Sequence, residues 1–191
     1  MFIRTKIIKG KKYAYLVENT WTQKGSRQKT VEYLGKICEL GKTKTILFEE
    51  FIKKRDSQSS SNLSVEDYFK NTDTKTVILD FLCCELEKHG FNTLSRYVLV
   101  KNNIVADMTK LKFFKNNTSE AGMDVVLKVN NEYMCQYSIK RLFGLKVEGD
   151  DHYCGQQLAE TIVAAGIVTE PDTFILLFEK LYKDEKLVVS G

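Results

Sequence analysis

The sequence predicts an α+β fold, in which a small basic three-stranded antiparallel β module precedes a mixed helix and β-hairpin body that ends in an αα-hairpin. Three observations support this prediction. Residues 1–37 contain strand-forming runs that two turn signals separate. The pairs Asn102-Asn103 and Asn130-Asn131 each interrupt a strand-like run, which is a hairpin signal. Two helix-like segments with capping signals come last.

The predicted β module begins with three strand-like runs. Residues 2–8 and 13–17 are rich in strand-forming side chains, and a turn over residues 9–12 separates them. A second loop over residues 20–26 contains a glycine, and residues 27–34 alternate in the manner of a third strand. Strict alternation along this strand places Gln28, Thr30, Glu32 and Leu34 on one face and Arg27, Lys29, Val31 and Tyr33 on the other.

A short amphipathic helix over residues 44–55 completes the first predicted domain, which comprises residues 1–55. A polar, serine-rich run starts at Asp56, and it predicts a linker or loop over residues 56–72. The second predicted domain, residues 73–191, is the α+β body.

Helices open and close the predicted body. Asp73 or Thr74 caps the first helix, which ends before Gly90. The two helices of the αα-hairpin extend from Asp151 or Tyr153 to about Ala165, and from Pro171 to about Lys183.

Two β-hairpins and one further strand lie between these helices. The runs on either side of each Asn-Asn pair supply the hairpin strands. Residues 137–145 have mixed periodicity, so a helix there is an alternative to the end of the second hairpin. The predicted strands comprise residues 97–101, 104–108, 111–114, 125–129 and 132–137.

Positive charge is concentrated at the N-terminus, although the whole chain has a net charge of only +4. Residues 1–55 contain 14 Lys and Arg against 5 Asp and Glu, whereas residues 56–191 contain 15 against 20. A basic segment beside an acidic body is typical of a nucleic-acid-binding protein with a separate partner or core region. The alternative is a solvated, lysine-rich surface without a ligand.

The β module supplies many candidate phosphate ligands. Lys and Arg side chains that bind phosphates release condensed counterions, which gives affinity for nucleic acid of any sequence. Lysines also protect strand edges against aggregation, but that role needs fewer cations than the module contains. The candidate phosphate-binding residues are Arg4, Lys6, Lys9, Lys11, Lys12, Lys24, Arg27, Lys29 and Lys36.

Other side chains of the module are predicted to contact bases. Arginine can bind the edge of guanine and glutamine that of adenine, which makes Arg4, Arg27 and Gln28 candidates for base recognition. One face of the module must pack on a core, so Tyr15 and Tyr33 are equally consistent with core positions. The aromatic candidates for stacking on bases are Tyr13, Tyr15, Trp21 and Tyr33.

The cysteine pattern predicts neither a metal site nor a cofactor. Five scattered cysteines and two histidines do not match the four clustered ligands of a structural zinc site. Cys83 and Cys84 are expected as buried thiols, which predicts a reducing, cytoplasmic compartment. The apolar stretches are shorter than the roughly 20 residues of a membrane helix, and no signal peptide is visible. No membrane interaction is therefore predicted.

The sequence offers no assembled active site. The most suggestive cluster, Asp150-Asp151-His152 with Cys154, combines residue types found in catalytic and metal sites. Side chains of adjacent loop residues do not converge easily on one point, and Asp is an ordinary residue at a helix N-terminus. A protein without catalytic activity is predicted.

Residues 2–37 contain six motifs in order: Phe2-Ile3-Arg4, Lys9-Gly10-Lys11, Tyr13-x-Tyr15-x-Val17-Glu18, Gly25, Arg27-Gln28 and Tyr33-Leu34-Gly35-Lys36. In this order the segment resembles the short N-terminal module of IS4/IS1634-type DDE transposases. The resemblance covers about a fifth of the chain, and it implies a β module that contacts nucleic acid in a small prokaryotic protein. It does not imply transposition, because the nuclease domain of those enzymes requires three spaced carboxylates on a much longer ribonuclease-H-like fold.

The sequence therefore predicts a non-catalytic protein that binds DNA or RNA through its basic, aromatic β module. An alternative is a ribonucleoprotein or ribosome-associated adaptor, whose acidic body, residues 73–191, docks on a protein partner. A third hypothesis is a non-catalytic remnant of a mobile element.

Overall fold

The computed structural model describes residues 1–23, 25–56, 64–116, 122–146 and 149–189, and it confirms an α+β fold. These ranges contain nine strands and six helices. The strands are β1 (Phe2–Ile8), β2 (Lys11–Thr22), β3 (Gly25–Glu39), β4 (Asn92–Ser95), β5 (Val98–Lys101), β6 (Ile104–Asp107), β7 (Lys112–Lys115), β8 (Val125–Val129) and β9 (Glu132–Met134). The helices are α1 (Phe48–Asp56), α2 (Val65–Asn71), α3 (Thr74–Lys88), α4 (Gln136–Phe143), α5 (Asp151–Ala164) and α6 (Pro171–Val189).

The predicted three-stranded antiparallel module is confirmed as β1, β2 and β3. The turn between β1 and β2 contains only Lys9 and Gly10, whose φ angles are 50° and 74°. A two-residue turn with both angles positive matches the twist of a hairpin. The turn is thus shorter than the predicted residues 9–12, and Lys11 and Lys12 open β2 instead. Because successive strand residues point to opposite faces, these two lysines lie on opposite faces of the sheet.

Two bulges in β3 overturn the strict alternation predicted for residues 27–34. The pairing with β2 shifts by one residue between Leu16 and Val17 and again between Ala14 and Tyr15. Each extra residue in β3 reverses the face on which the following side chains lie. The first of these shifts places Tyr33 on the face of Gln28 and Thr30 and Glu32 on the opposite face. The second places Lys36 on the same face as Tyr33.

Strand β3 also connects the module to the body. Its C-terminal half pairs in parallel with β8, which gives a five-stranded sheet of order β1-β2-β3-β8-β9. Gly35 lies where β3 approaches β8, with a φ of 137°. A Cβ atom at this position would lie 2.7 Å from the carbonyl oxygen of Asp124, so the approach requires glycine.

A second sheet has the order β4-β5-β6-β7. Both predicted Asn-Asn hairpins form, as β5–β6 and β8–β9, and Asn102 and Asn130 have positive φ angles. The predicted strand over residues 111–114 appears as β7, whereas β4 was not predicted. Strand β9 ends at Met134, and the alternative of a helix in the following segment is confirmed by α4.

Helix α2 lies inside the predicted linker, residues 56–72, and corrects that prediction for residues 65–71. Its Tyr68 and Phe69 are buried, and their rings lie 5.9 and 6.0 Å from that of Phe48. Ser64 caps the helix by accepting a hydrogen bond from the backbone N–H of Asp67. The aromatic pair thus holds this segment against the core. Residues 57–63 of the predicted linker lie outside the described residues.

Helix α3 forms the centre of the body, and Asp73 caps it as predicted. Its Asp80 is buried and accepts hydrogen bonds from Arg55 and from the hydroxyl of Tyr68, the latter at 2.6 Å. The main core extends from Phe48 in α1 to residues of α6. Two consecutive helices, α5 and α6, form near the predicted positions. They do not pack mainly on each other as the predicted αα-hairpin requires: α5 packs on α4, and α6 packs on α2 and α3.

Candidate nucleic-acid interface

One face of the β module gathers most of the predicted interface residues, and we call it the tyrosine face. Residues that oppose each other across paired strands lie on the same face of a sheet, so the observed register assigns every side chain. Arg4 lies opposite Tyr15, Lys6 opposite Tyr13, and Tyr13 opposite Lys36. The charged and tyrosine side chains of the tyrosine face are Arg4, Lys6, Lys11, Tyr13, Tyr15, Tyr33 and Lys36, and Trp21, Gln28 and Thr30 share this face.

Charge is segregated between the two faces of β1–β3. The four cations of the tyrosine face, Arg4, Lys6, Lys11 and Lys36, have no carboxylate from these strands beside them. The opposite face has three cations and three carboxylates, namely Lys12, Arg27, Lys29, Glu18, Glu32 and Glu39. Among the charged residues of β1–β3, those of the tyrosine face therefore have a positive surplus, and those of the opposite face do not.

The three tyrosines form a contiguous ring cluster. The ring centroid of Tyr33 lies 5.3 Å from that of Tyr15 and 6.2 Å from that of Tyr13, with the planes tilted. Tyr33 is 48% exposed, and the other two rings are half-buried. Burial raises the pKa of the Tyr33 hydroxyl, and Tyr13, Tyr15 and Asp124 raise it further. The phenol consequently stays neutral at physiological pH.

Two cations of β1 reach across β2 on the tyrosine face. The Lys6 ammonium lies 4.5 Å from the centroid of the Tyr15 ring and donates a hydrogen bond of 3.3 Å to the Thr30 hydroxyl. The Arg4 guanidinium donates a hydrogen bond to the side-chain oxygen of Gln28. Two of the three side chains predicted to recognise base edges, Arg4 and Gln28, are thus bonded to each other, which holds the guanidinium over the sheet.

Three of the predicted interface residues lie on the opposite face of the module, away from the tyrosines. Lys12 forms an ion pair of 2.8 Å with Glu39, and Lys29 lies 3.7 Å from Glu18. The hydrogen bond from Lys12 lowers the pKa of Glu39, and the same contact raises the pKa of Lys12. Arg27 shares this face with them. The sequence prediction treated Lys12, Arg27 and Lys29 as equivalent to the other cations, and the register shows that they are not.

The opposite face is also partly covered by the body. The hydroxyl groups of Thr5 and Tyr133 lie 2.7 Å apart, within hydrogen-bond distance. A small apolar cluster packs beneath β2 and β3, and it contains Ala14, Ile37, Val126 and Cys135. This face therefore serves the fold, which leaves the tyrosine face as the candidate interface.

Beyond β1, strands β2 and β3 continue as a two-stranded arm of residues 18–22 and 25–29. Trp21, near the tip of this arm, is 85% exposed. Gln28 and Trp21 follow the alternation of the tyrosine face, so both lie on its side of the arm. The predicted Lys9 lies in the turn at the other end of β2, and the predicted Lys24 lies outside the described residues.

The sequence left Tyr15 and Tyr33 open between stacking on bases and core positions, and the structure places both on the tyrosine face. Period-two alternation alone separates Tyr33 from Gln28 and Thr30, and the bulge after Thr30 brings them to the same face. The sequence feature that could have assigned Tyr15 and Tyr33 to the interface is the high density of tyrosines in neighbouring strands. Aromatic side chains in a basic sheet are typical of surfaces that bind single-stranded nucleic acid.

A cleft of about 740 Å³ lies between β3, α4 and α5, and the sequence did not predict it. Lys140, Arg141 and Lys146 line it, but so do Glu32 and Glu160. This mixture of charges does not single out a ligand class, unlike the uniform charge of the tyrosine face.

The cluster near residue 150 has structural roles. The carboxylate of Asp150 accepts a hydrogen bond of 2.8 Å from the backbone N–H of Tyr153 and caps α5, while Cys154 is buried. Within the described ranges, no group of three or more His, Cys, Asp or Glu could hold a metal ion. Burial raises the pKa of the Cys83 and Cys84 thiols to about 12, as expected for inert core cysteines.

None of the helices in the described part of the chain is long and apolar enough to span a bilayer.

No protein-family model matches the chain, and neither a curated protein nor a solved structure matches it.

Proposed function

We propose that this protein binds nucleic acid, DNA or RNA, through the tyrosine face and has no catalytic activity. The charge segregation between the two faces of β1–β3 is the main support. Four cations surround three tyrosines on one face, while the charges of the other face balance. A surface needs such a one-sided arrangement to attract a polyanion rather than to satisfy its own ion pairs.

The proposal divides the basic residues into two groups. Arg4, Lys6, Lys11 and Lys36 bind phosphates, since each phosphate that they neutralise releases counterions. Lys12 and Lys29 instead serve the module itself through Glu39 and Glu18. The resemblance of residues 2–37 to a transposase module supports a nucleic-acid ligand without implying the nuclease reaction.

The variants Lys11→Ala and Lys12→Ala test this division directly. The two lysines are neighbours in sequence, and each substitution removes one positive charge from the same end of β2. We expect Lys11→Ala to weaken binding and to reduce the slope of log affinity against log salt by about one, because one phosphate contact is lost. Lys12→Ala should leave both quantities nearly unchanged.

The measurement is fluorescence anisotropy of a labelled oligonucleotide at four or more salt concentrations. Equal losses for both variants would show that only net charge matters and would remove the tyrosine face from the proposal. Failure of the parent protein to bind DNA or RNA at low salt would overturn the proposal altogether.

A protein-docking function is the second candidate, and exposed apolar side chains near the α5–α6 connection favour it. Val163, Val168 and Ile175 are each more than half exposed. An adaptor that docks a protein through residues 73–191 should retain a co-purifying partner when Lys11 is changed to Ala, whereas Val163→Asp should release it.

We also propose an intracellular location. None of the five cysteines, all of which lie in the described part of the chain, forms a disulfide, and four of them are buried. Such thiols are typical of proteins that fold in a reducing compartment.

A further inference from the structure

We infer that the nucleic acid bound by the tyrosine face is single-stranded, with unpaired bases stacked on its tyrosine rings. This inference rests on the proposed function and specifies its substrate class. The main supporting observation is that a contiguous cluster of tyrosine rings and four cations lie on the same exposed face of the sheet.

Phosphate binding alone explains the cations but not the rings. Tyr13, Tyr15 and Tyr33 come from two adjacent strands, and the bulge after Thr30 brings Tyr33 to the same face as the others. Tyr33 remains about half exposed, so the cluster is available to a ligand. An aromatic side chain on an exposed face offers a flat apolar surface, and the matching partner in a nucleic acid is the flat face of a base.

A duplex does not offer that partner. Its bases are stacked on one another, and proteins reach only their edges in the grooves. The major groove admits a helix or a two-stranded ribbon, whereas the tyrosine face spans three strands about 4.8 Å apart. In a single strand the base faces are free, and stacking on aromatic side chains tolerates every base.

The cations of the tyrosine face lie next to the rings, where they could bind the phosphates of a strand whose bases stack on those rings. The Lys6 ammonium already occupies a face of the Tyr15 ring, at 4.5 Å from its centroid. We therefore assign base stacking to Tyr13 and Tyr33 and a supporting position to Tyr15. Lys36 lies opposite Tyr13 in the register, and Lys11 lies two residues before it, so phosphate ligands flank the rings.

The two-stranded arm is the part of the module that could enter a duplex groove, but its charges argue against this use. Arg27 and Lys29 lie on the face that also holds Glu18, and Lys29 is within 3.7 Å of that carboxylate. The described residues on the other side of the arm, Asn19, Trp21, Ser26 and Gln28, are uncharged.

The test compares three labelled probes of about 15 nucleotides, a length near the upper end of single-strand site sizes. They are a mixed-sequence single strand, the same strand annealed to its complement, and an abasic strand with the same number of phosphates. At equal salt, we expect the full-length protein to bind the single strand at least about tenfold more tightly than either control, since each stacked base contributes about tenfold.

Two variants provide the matching protein controls. Tyr33→Ala should lose about tenfold in affinity for the single strand and almost nothing for the abasic strand, while Tyr33→Phe keeps the ring and should bind as the parent does. Circular dichroism confirms that each variant is folded. If Tyr33→Ala fails to fold, the parent protein still tests the inference, because its affinities for the normal and the abasic strand differ only through the bases.

The outcomes separate this inference from the function on which it rests. Duplex binding as tight as single-strand binding, or abasic binding as tight as that of the normal strand, overturns the single-strand inference and leaves phosphate binding intact. Absence of binding to all three probes at low salt overturns both.

Discussion

Glu85 is a buried carboxylate that joins three parts of the body. Its Oε1 accepts a hydrogen bond of 2.8 Å from the Asn130 side chain and lies 3.3 Å from Nε2 of His89. Its Oε2 accepts a hydrogen bond of 3.3 Å from the backbone N–H of Val168 and lies 3.4 Å from the Lys88 ammonium. The C-terminus of α3, the β8–β9 turn and the α5–α6 connection therefore meet at one side chain.

This arrangement makes stability depend on pH. Burial alone raises the pKa of Glu85, but the His89 ring, the Lys88 charge and the Asn130 amide outweigh it and hold the pKa below the ordinary value of 4.5. A depressed pKa in the folded state stabilises the protein above pH 4.5, and this contribution is lost as the pH falls through the folded value. We expect Glu85→Gln to lower the free energy of unfolding by about 1–3 kcal/mol at pH 7 and by less at pH 3.

Urea unfolding between pH 7 and pH 3 measures this effect. Glu66→Gln is the matched control, because Glu66 is exposed on α2, and its cost should stay within about 0.5 kcal/mol. A Glu85→Gln penalty that does not change with pH would exclude titration of this carboxylate as the cause.

At the scale of secondary-structure elements, the junction of β3 with β8 depends on Gly35. In Gly35→Ala, the new Cβ would lie 2.7 Å from the Asp124 carbonyl oxygen, and the φ of 137° is unfavourable for alanine. We expect a loss of more than about 2 kcal/mol in the free energy of unfolding, because strained backbone and a backbone clash add.

Gly10→Ala is the matched control for this prediction. Gly10 also has a positive φ, 74°, but a Cβ there meets nothing within 4 Å. Its cost should be limited to the backbone strain, about 1 kcal/mol, as measured by urea unfolding. Equal costs for the two variants would show that the contact with β8 does not contribute.

Much of the element order could be predicted from the sequence, because its signals are local. The caps of α3 and α5 and the Asn-Asn turns depend on neighbours only a few residues away. Helix α2 was obscured by the serine-rich run before it, although the burial of Tyr68 and Phe69 against Phe48 decides its conformation. The parallel pairing of β3 with β8 joins residues about 90 positions apart, and no local pattern encodes it.

The residue types of the candidate site could be predicted from the sequence, whereas the distribution of its cations between the two faces of the module was not predicted. Sequence reasoning found the basic, aromatic module and most of its cations. Which cations of β3 share a face with the tyrosines depends on the bulges after Thr30 and Tyr33, because a one-residue slip exchanges the faces. Bulges leave no reliable mark in a single sequence. Lys11 and Lys12 were not told apart for a different reason: the sequence placed both in a turn over residues 9–12, whereas the structure places both in β2.

At the scale of the whole molecule, the β module and the body share one sheet, and the main core connects α1 with α6. We expect a single cooperative unfolding transition, because the module cannot separate without breaking the β3–β8 pairing. Hydrogen exchange in urea should release the slowest amides of β2 and of α3 with the same midpoint. Earlier release of β2, while α3 stays protected, would show that the module unfolds independently.

Trp21 is the chain's single tryptophan, and it stands 85% exposed on the arm, away from every core cluster. Its indole therefore already emits as it would in water, and melting of the core should change its fluorescence little. A ligand that binds to the arm, in contrast, would change the polarity around the indole and therefore its emission. The intrinsic fluorescence of Trp21 therefore reports on binding at the arm, and it responds little to unfolding of the core.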